Sequence, residues 1–194
     1  MGRVEEETMS DDELQRLQRD VQYLKDRLEI ADCVAALSRG HDRHDVELMT
    51  NAFHADGWDE HGTAVSRGPE YAAWANTTHA AGSQVNMHHI TTHLCEIDGD
   101  EAHAESYVIG VMLNHDGVTA RVLTGRYLDR LERRLGVWRI VVRRSTAEVA
   151  FTADASILEM DVFRDHHFAK GSRDRTDLAY QRPLEIDTPA PDVW

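Results

Sequence analysis

The sequence predicts an α+β fold, because its helical and strand-like segments are separated along the chain. Three segments with helical spacing come first, within residues 11–79. Four long strand-like runs follow, between residues 85 and 150. Short turn sequences join these runs, and such short links produce antiparallel hairpins instead of parallel crossovers. We therefore expect three N-terminal helices packed on a curved, mostly antiparallel sheet.

The first predicted helix covers about residues 11–40. Ser10 and Glu13 have the spacing of a capping box at its start, and Gly40 is expected to end it. Apolar residues recur along this helix with the spacing of a short coiled-coil stripe, namely Leu14, Leu17, Val21, Leu24, Leu28 and Ala31. The stripe packs either on the protein's own domain or against a helix of another subunit, and the spacing alone does not decide between these interpretations.

Two further helices and a short strand complete the N-terminal part. The second helix is predicted over about residues 43–53. The third opens near Pro69, a residue favoured in the first turn of a helix, and runs to about His79. Between these helices, residues 57–65 have the pattern of a short strand.

The main sheet is expected from four strand-like runs with turn residues between them. The runs are 85–97, 101–114, 119–133 and 136–150. Arg143 and Arg144 in the last run resemble a basic patch only when the neighbouring acids are ignored. We expect them to pair with carboxylates of the sheet across the 119–133/136–150 hairpin.

The domain boundaries follow from where the periodicity begins and ends. We expect one domain over residues 14–150, preceded by a flexible N-terminus at 1–13. The C-terminal extension, residues 151–194, is predicted to be an extended arm or a partly disordered segment. The extension contains three apolar side chains that favour a docked arm slightly, namely Tyr180, Leu184 and Trp194. Solvated tails rarely keep such groups.

The composition disfavours several classes of function. There are 21 Lys and Arg against 35 Asp and Glu, so the formal net charge is −14, which argues against nucleic acid and anionic membranes as partners. Cys33 and Cys95 have neither a metal-type nor a disulfide spacing. No apolar run approaches the roughly 18 residues of a membrane span. The polar residues 1–12 do not resemble a signal peptide, and we expect a cytoplasmic protein.

Histidine is unusually frequent, with 12 residues, and the candidates for chemistry lie in three polar clusters. The first cluster, 40–45, ends the first helix; the second, 86–93, opens a strand; the third, 59–61, lies on the short early strand. Successive residues of a strand point to opposite faces, so His88 and His89 cannot both line one cavity.

Three interpretations of these clusters remain open. In the first, Asp42 orients His88 as a general base that removes an acidic proton alpha to a carbonyl. In the second, this pair together with His41 and His61 binds zinc or iron, although no HExxH-type spacing is present. In the third, most of the histidines are surface residues. The chain also has no Gly-rich phosphate loop, so a nucleotide cofactor is not expected.

Several short motifs, taken in their order and spacing, carry a family resemblance that covers about residues 14–150. They are LEIAD at 28–32, GHDRHD at 40–45, FHAD at 53–56, HHITT at 88–92, IDGDEA at 97–102, GRYLDRL at 125–131 and GVWRI at 136–140. Together they resemble the SnoaL-like family of the nuclear-transport-factor-2-like superfamily. The resemblance implies a cone-shaped α+β barrel, in which three N-terminal helices pack on a strongly curved, mostly antiparallel sheet and enclose one deep apolar pocket.

The resemblance also implies a catalytic pair. The superfamily includes scytalone dehydratase, bile-acid 7α-dehydratase, hexachlorocyclohexane dehydrochlorinase, polyketide cyclases and many non-enzymes. In its eliminating members, an Asp at the end of the first helix pairs with a His at the start of the strand after the third helix. The matching positions in this sequence are Asp42 and His88, which are also the pair favoured by the residues themselves.

This sequence departs from the family pattern around the expected pocket. His41 and His61 stand where scytalone-dehydratase-like members have tyrosines that hold a water or polarise a carbonyl, and a histidine can donate the same hydrogen bond. Gly110 stands near an acidic residue of the bile-acid enzyme, and with Ser106 and Val108 it would widen the cavity for a bulky ligand. The remaining candidates for the pocket lining are Trp58 and Trp74.

We therefore expect a cofactor-independent lyase (a dehydratase) or isomerase that acts on a hydrophobic cyclic substrate such as a steroid or polyketide, with no metal. Two alternatives are kept. One is a non-catalytic module of the same fold that binds a small ligand or a protein, and the other is a mononuclear metal enzyme that uses the histidine cluster. The expected partners are the small substrate and further copies of the chain, in a homodimer or homotrimer.

Overall fold

Three helices pack on one face of a six-stranded sheet, which confirms the predicted α+β class. The computed structural model describes residues 9–194. The helices are α1 (Asp11–Arg43), α2 (Val46–Asn51) and α3 (Gly68–Gly82). The strands of the main sheet are β1 (Phe53–His61), β2 (Ala64–Arg67), β3 (Val85–Asp98), β4 (Glu101–Leu113), β5 (Thr119–Arg134) and β6 (Val137–Asp154). Among the residues described, no helix is both long and apolar enough to cross a membrane.

The sheet is curved but open. Its strands lie in the order β2-β1-β6-β5-β4-β3, with β1 parallel to β6 and the other neighbours antiparallel. Register shifts occur in β3 between Ile90 and His93 and in the β5–β6 pair after Thr124. Such bulges bend the strands and increase their twist. The sheet therefore wraps around the helices as expected, while β2 and β3 remain as edges and the barrel does not close.

Helix α1 begins where predicted but ends later. Ser10 and Glu13 form the expected capping box. Gly40 does not end the helix; a Cβ atom there would collide with the Met49 side chain of α2, so glycine permits the close approach of the two helices. The helix stops at His44, which adopts the left-handed conformation (φ 50°, ψ 35°) and whose N–H donates to the Gly40 carbonyl.

The segment between the helices also differs from the prediction. The single strand expected at 57–65 is a pair of antiparallel strands, β1 and β2, because Gly62 makes a turn with positive φ (65°) between them. Helix α2 is shorter than expected, since Phe53 already belongs to β1. The core lies between the helices and the concave face of the sheet, where Leu37, Tyr71 and Ile140 are among the buried side chains.

The two ends of the chain shift the expected domain boundaries. Of the predicted flexible segment 1–13, residues 1–8 lie outside the described residues, and 11–13 form the first turn of α1. At the other end, β6 continues to Asp154, beyond the expected limit of 150. The short elements that follow are a 3₁₀ turn (Ser156–Glu159), α4 (Asp161–Arg164), β7 (Ala169–Lys170), a second 3₁₀ turn (Leu178–Tyr180) and β8 (Asp192–Val193).

Part of the C-terminal extension is docked on α1 and the loop after it. Arg43 donates to Asp177 at 2.7 Å and to the Ser172 carbonyl at 2.8 Å. The Tyr180 hydroxyl donates to Asp45 at 2.8 Å. These contacts hold residues 171–180, which we call the arm, against the body of the domain.

A buried ion pair lies on the inner face of the sheet. Arg143 of β6 donates to both oxygens of Asp129 on β5, at 2.7 and 2.6 Å, and neither side chain is exposed. The guanidinium also lies 4.1 Å from the centroid of the Tyr127 ring. Arg144, on the opposite face, pairs with Glu60 of β1. Arg143 therefore pairs across the β5–β6 hairpin, as predicted, whereas Arg144 pairs with a carboxylate of β1 instead.

Candidate active site

A cavity of about 400 Å³ opens between α3 and the concave face of the sheet. This volume is within the range of small-molecule sites, which are mostly apolar with a few polar groups. The apolar lining residues are Gly62, Trp74, Val108, Gly110, Met112, Leu123, Gly125 and Ala147. Among them only Trp74 has a polar side-chain group, its indole N–H. The other lining residues are His61, Tyr71, Thr78, His79, His88, Tyr127, Ser145 and Thr146.

Asp42 and His88 form a hydrogen-bonded pair at the wall of this cavity. Asp42 lies in the last turn of α1 and His88 near the start of β3, two elements that pack side by side. Nδ1 of His88 lies 2.7 Å from Oδ1 of Asp42, and the two side chains are 8% and 9% exposed. A carboxylate in this position keeps the proton on Nδ1, so Nε2 is left free to accept another. The pair therefore has the arrangement of an oriented general base.

The Asp42 carboxylate is held by further donors. The backbone N–H of His88 donates to its two oxygens at 3.1 and 2.9 Å. The side-chain amide of Asn86 donates to Asp42 Oδ1 at 3.1 Å and to the His41 carbonyl at 3.0 Å. Arg173 of the arm donates to Oδ1 of Asn86 at 2.6 Å, which fixes the orientation of that amide. Groups from α1, β3 and the arm thus position one carboxylate.

His61 presents a second imidazole to the same cavity. Its Nδ1 lies 3.2 Å from Oδ1 of the buried Asp59 and 3.1 Å from Oγ of Ser145. The ring stacks on Tyr71 with a centroid separation of 5.2 Å. Asp59 and His61 share the inner face because they are two residues apart on β1. Two of the imidazoles that border the cavity, those of His61 and His88, therefore lie beside an aspartate.

His41 does not line the cavity, contrary to the prediction that it contacts substrate. It is fully buried, with ring centroids 5.5, 5.7 and 5.0 Å from Tyr71, His79 and His88. Because α1 continues past Gly40, His41 falls on the same helix face as the core residue Leu37. Burial, and then the neighbouring histidines, hold the pKa of His41 well below its usual value, so its ring is neutral near pH 7.

His79 is a lining residue that the sequence analysis did not name as a candidate for the site. Its ring centroid lies 5.4 Å from that of His88, and burial is the main cause that lowers its pKa to about 3. Tyr71, Ala75 and His79 recur every fourth residue, which places them on one face of α3. That spacing is the signal that identifies His79. Tyr127, another lining residue, had no comparable signal.

Two residues expected in the lining lie elsewhere. Trp58 is on the outer face of the sheet, where the Arg67 guanidinium lies 4.5 Å from its ring centroid. Strand alternation explains this, since its neighbour Asp59 points inward. Ser106 is fully buried, and its hydroxyl lies 2.8 Å from Nδ1 of His93. Trp74, Val108 and Gly110 line the cavity. Their contact with a substrate stays a prediction.

The metal hypothesis requires the histidines near Asp42 to converge as ligands. Instead, the rings of His41 and His61 are 6.5 Å apart, and His88 is hydrogen-bonded to Asp42. Within residues 9–194, no three His, Cys, Asp or Glu side chains are arranged to hold a metal ion.

The buried histidines predict that acid destabilises the fold. An unfolded histidine binds a proton below about pH 6.5, whereas folded His79 does not until about pH 3. Between these values the unfolded state holds the extra proton, so the free energy of unfolding falls as pH falls, by up to about 1.4 kcal/mol per pH unit for this residue. We expect His79→Gln to reduce that slope in urea unfolding between pH 6.5 and 4.5. The control is His103→Gln, at an exposed position; equal slopes for both variants would contradict the prediction.

Comparison with known proteins adds a family and a set of similar folds. The model of the SnoaL-like domain matches residues 22–144, a segment that runs from α1 into β6 and contains both members of the Asp42–His88 pair. No curated protein matches the sequence.

Three solved structures illustrate the likeness. A type 2 hexachlorocyclohexane dehydrochlorinase (LinA) is 20% identical, with a TM-score of 0.64 over 69% of this chain and 93% of that one. A provisional scytalone dehydratase from Novosphingobium aromaticivorans is 17% identical, with a TM-score of 0.61 over 69% and 90%. Rv3472(D26N) from Mycobacterium tuberculosis, a protein of unknown function, is 29% identical, with a TM-score of 0.58 over 66% and 75%. All three share the overall fold described above.

Proposed function

The chain belongs to the SnoaL-like domain family, and from this premise we propose that it is a cofactor-independent lyase or isomerase acting on a hydrophobic cyclic substrate. The observation that carries the proposal is the Asp42–His88 pair, 2.7 Å apart, at the wall of a mostly apolar cavity. A histidine oriented by a carboxylate is basic enough to remove a proton alpha to a carbonyl. The names of the dehydrochlorinase and dehydratase structures support elimination as the reaction class.

In the proposed dehydration, Nε2 of His88 takes the proton from the carbon alpha to the carbonyl. The C–H electron pair moves toward the carbonyl oxygen, where His61 donates a hydrogen bond from Nε2, in the tautomer whose Nδ1 accepts from the Ser145 hydroxyl. The negative charge of Asp42 stabilises the imidazolium that forms on His88. The electron pair then returns to form the C=C bond as hydroxide leaves the beta carbon. Hydroxide takes the proton from the imidazolium, so water departs and the base is restored. In an isomerisation the same proton returns to a different carbon.

The walls of the cavity favour a bulky ring system. Gly110 and Gly125 line it without side chains, and Trp74 and Tyr71 supply aromatic surface. Apolar and aromatic walls with few polar groups select hydrophobic ligands. We therefore propose steroids or polyketides as the substrate class. The reaction would then belong to steroid or polyketide metabolism.

The direct test is a panel of polycyclic β-hydroxy ketones and ketosteroids incubated with the purified protein and no added cofactor. We expect formation of a conjugated enone, followed by ultraviolet absorbance, or exchange of the alpha proton in deuterated water, followed by NMR. Dialysis against a chelator is expected to leave the rate unchanged. Ligands that bind in the cavity with neither elimination nor exchange would contradict the proposal and favour a binding module of the same fold.

The cavity size is testable at Gly110. A Cβ atom there would meet Met112 Cε at 3.5 Å and His88 Cδ2 at 3.9 Å, so alanine fits while a larger side chain occupies ligand space. We expect Gly110→Leu to raise KM for tetracyclic substrates about tenfold or more, since the overlap removes contact area, and Gly110→Ala to change it little. A Gly110→Leu enzyme with unchanged KM for the largest substrate would show that the ligand lies elsewhere.

The proposed enzyme is cytoplasmic and assembles from several copies of the chain. The acidic net charge and the two free cysteines, Cys33 and Cys95, suit a cytoplasmic protein. We further propose that it is a homodimer or homotrimer, because large apolar side chains remain exposed on both α1 and the outer sheet face, for example Leu24, Tyr107 and Phe151.

A further inference from the structure

The N-terminal half of α1 projects from the domain. Residues 11–25 are all exposed, and Asp26 is the first buried residue of the helix. The apolar residues of the coiled-coil stripe are therefore open to solvent: Leu14, Leu17, Val21, Leu24 and Leu28 are 43, 50, 46, 59 and 65% exposed. An isolated helix of this length is only marginally stable in water, so a packing partner for the stripe would stabilise it.

The stripe faces away from the protein's own core. On α1 the buried core residues Ile30, Val34 and Leu37 lie on one side of the helix. At 100° per residue, Leu24 and Leu28 lie about 115° and 155° around the helix from the centre of that side. The stripe can therefore receive a second helix along about 30 Å, from residue 11 to residue 31.

The charges beside the stripe match a second copy of the same helix. With Leu14, Val21 and Leu28 at the a positions, the g positions are occupied by Glu13, Asp20 and Arg27. In a parallel pair each g residue meets the e residue five positions later in the partner, so Asp20 meets the partner's Lys25.

Arg27 also finds an opposite charge, because it meets the partner's Asp32. Glu13 meets the uncharged Gln18, so two of the three charged g positions face an opposite charge and none faces a like charge. An antiparallel pair over the same stripe matches only Asp20 with the partner's Arg27 and leaves Lys25 beside the partner's Gln18. Val21 at an a position and leucine at two d positions favour two strands over three.

We propose that two copies of the chain pair through a parallel, two-stranded coiled coil formed by residues 11–31 of α1. The C-terminal end of this contact, at residue 31, is about 16 Å from Asp42 along the helix. It does not depend on the proposed enzymatic activity, and each cavity stays complete within its own copy.

The first test places a charge in the stripe. We expect sedimentation velocity across a concentration series to show a dimer for the unchanged chain. In Leu17→Glu/Leu24→Glu the Kd for dimerisation should rise by about 100-fold or more, because two carboxylates would be buried without partners. The control, Arg19→Glu, makes a charge change on the far side of the same helix and should leave Kd unchanged. Circular dichroism checks that each variant is folded.

The second test separates this pairing from other arrangements. Asp20 and Lys25 are both exposed, so exchanging them leaves the monomer fold intact. We expect Asp20→Lys and Lys25→Asp each to raise Kd about tenfold and the double exchange to restore it. A monomer at every concentration, a trimer, a dimer that survives the two glutamates, or a double exchange that stays weak would each overturn the proposal.

Discussion

Replacing His88 with alanine is expected to lower kcat for the elimination by about 10²–10⁴-fold, the usual contribution of a positioned general base. The reason is geometric, since His88 is the imidazole that lines the cavity and also contacts Asp42 at 2.7 Å. The measurement is kcat and KM on the substrate found by the panel. Because the loss concerns the chemical step, KM should change much less than kcat.

Asp42→Asn should be nearly as damaging. The amide has the size of the carboxylate, but it carries no charge to stabilise the imidazolium and does not select the tautomer with a free Nε2. His103→Ala serves as the control, because it removes an exposed imidazole. Full turnover in either His88→Ala or Asp42→Asn, with the fold intact, would contradict the mechanism.

The second large effect concerns stability. We expect Asp129→Ala to lower the free energy of unfolding by about 3–5 kcal/mol, because it leaves the Arg143 guanidinium buried without its bidentate partner. Asp59, which is opposite Arg143 on β1, is also fully buried but makes no direct hydrogen bond to it. Urea unfolding measures the change.

Two comparisons isolate the cause of this loss. Asp129→Leu combined with Arg143→Met removes both charges and should recover most of the stability, since a buried ion pair can be replaced by apolar side chains at little cost. Glu60→Ala breaks the exposed pair with Arg144 and should change stability little. If Glu60→Ala and Asp129→Ala cost the same, burial is not the source of the effect.

The positions of Asp59, His61 and His88 could be predicted because strand alternation is a strict rule. Residues two apart on a strand share a face, so the contribution of β1 and β3 to the inner surface followed from their spacing. Trp58 lies on the outer face by the same rule. Consecutive residues of a strand point to opposite faces, so Trp58 and Asp59 cannot both point into the pocket.

The helix ends were harder to predict, because they depend on tertiary contacts. The local sequence around Gly40 predicts a helix end, because glycine often follows the last turn of a helix. Gly40 instead lies inside α1, where it permits the close packing of the Met49 side chain. That difference decides the place of His41, which the continuing helix turns into the core. The link from Arg173 to Asn86 had no local signal at all, since it joins residues far apart in the chain.

The contact between Arg173 and Asn86 has a consequence for biosynthesis. Arg173 lies beyond β6 in sequence, so it leaves the ribosome only after the entire sheet. The strands that line the cavity can therefore fold before Arg173 is available. The hydrogen bond from Arg173 that orients the Asn86 amide toward Asp42 forms only afterwards. Removal of the arm would take the Arg173 hydrogen bond away from Asn86 while every strand of the six-stranded sheet stays in the chain.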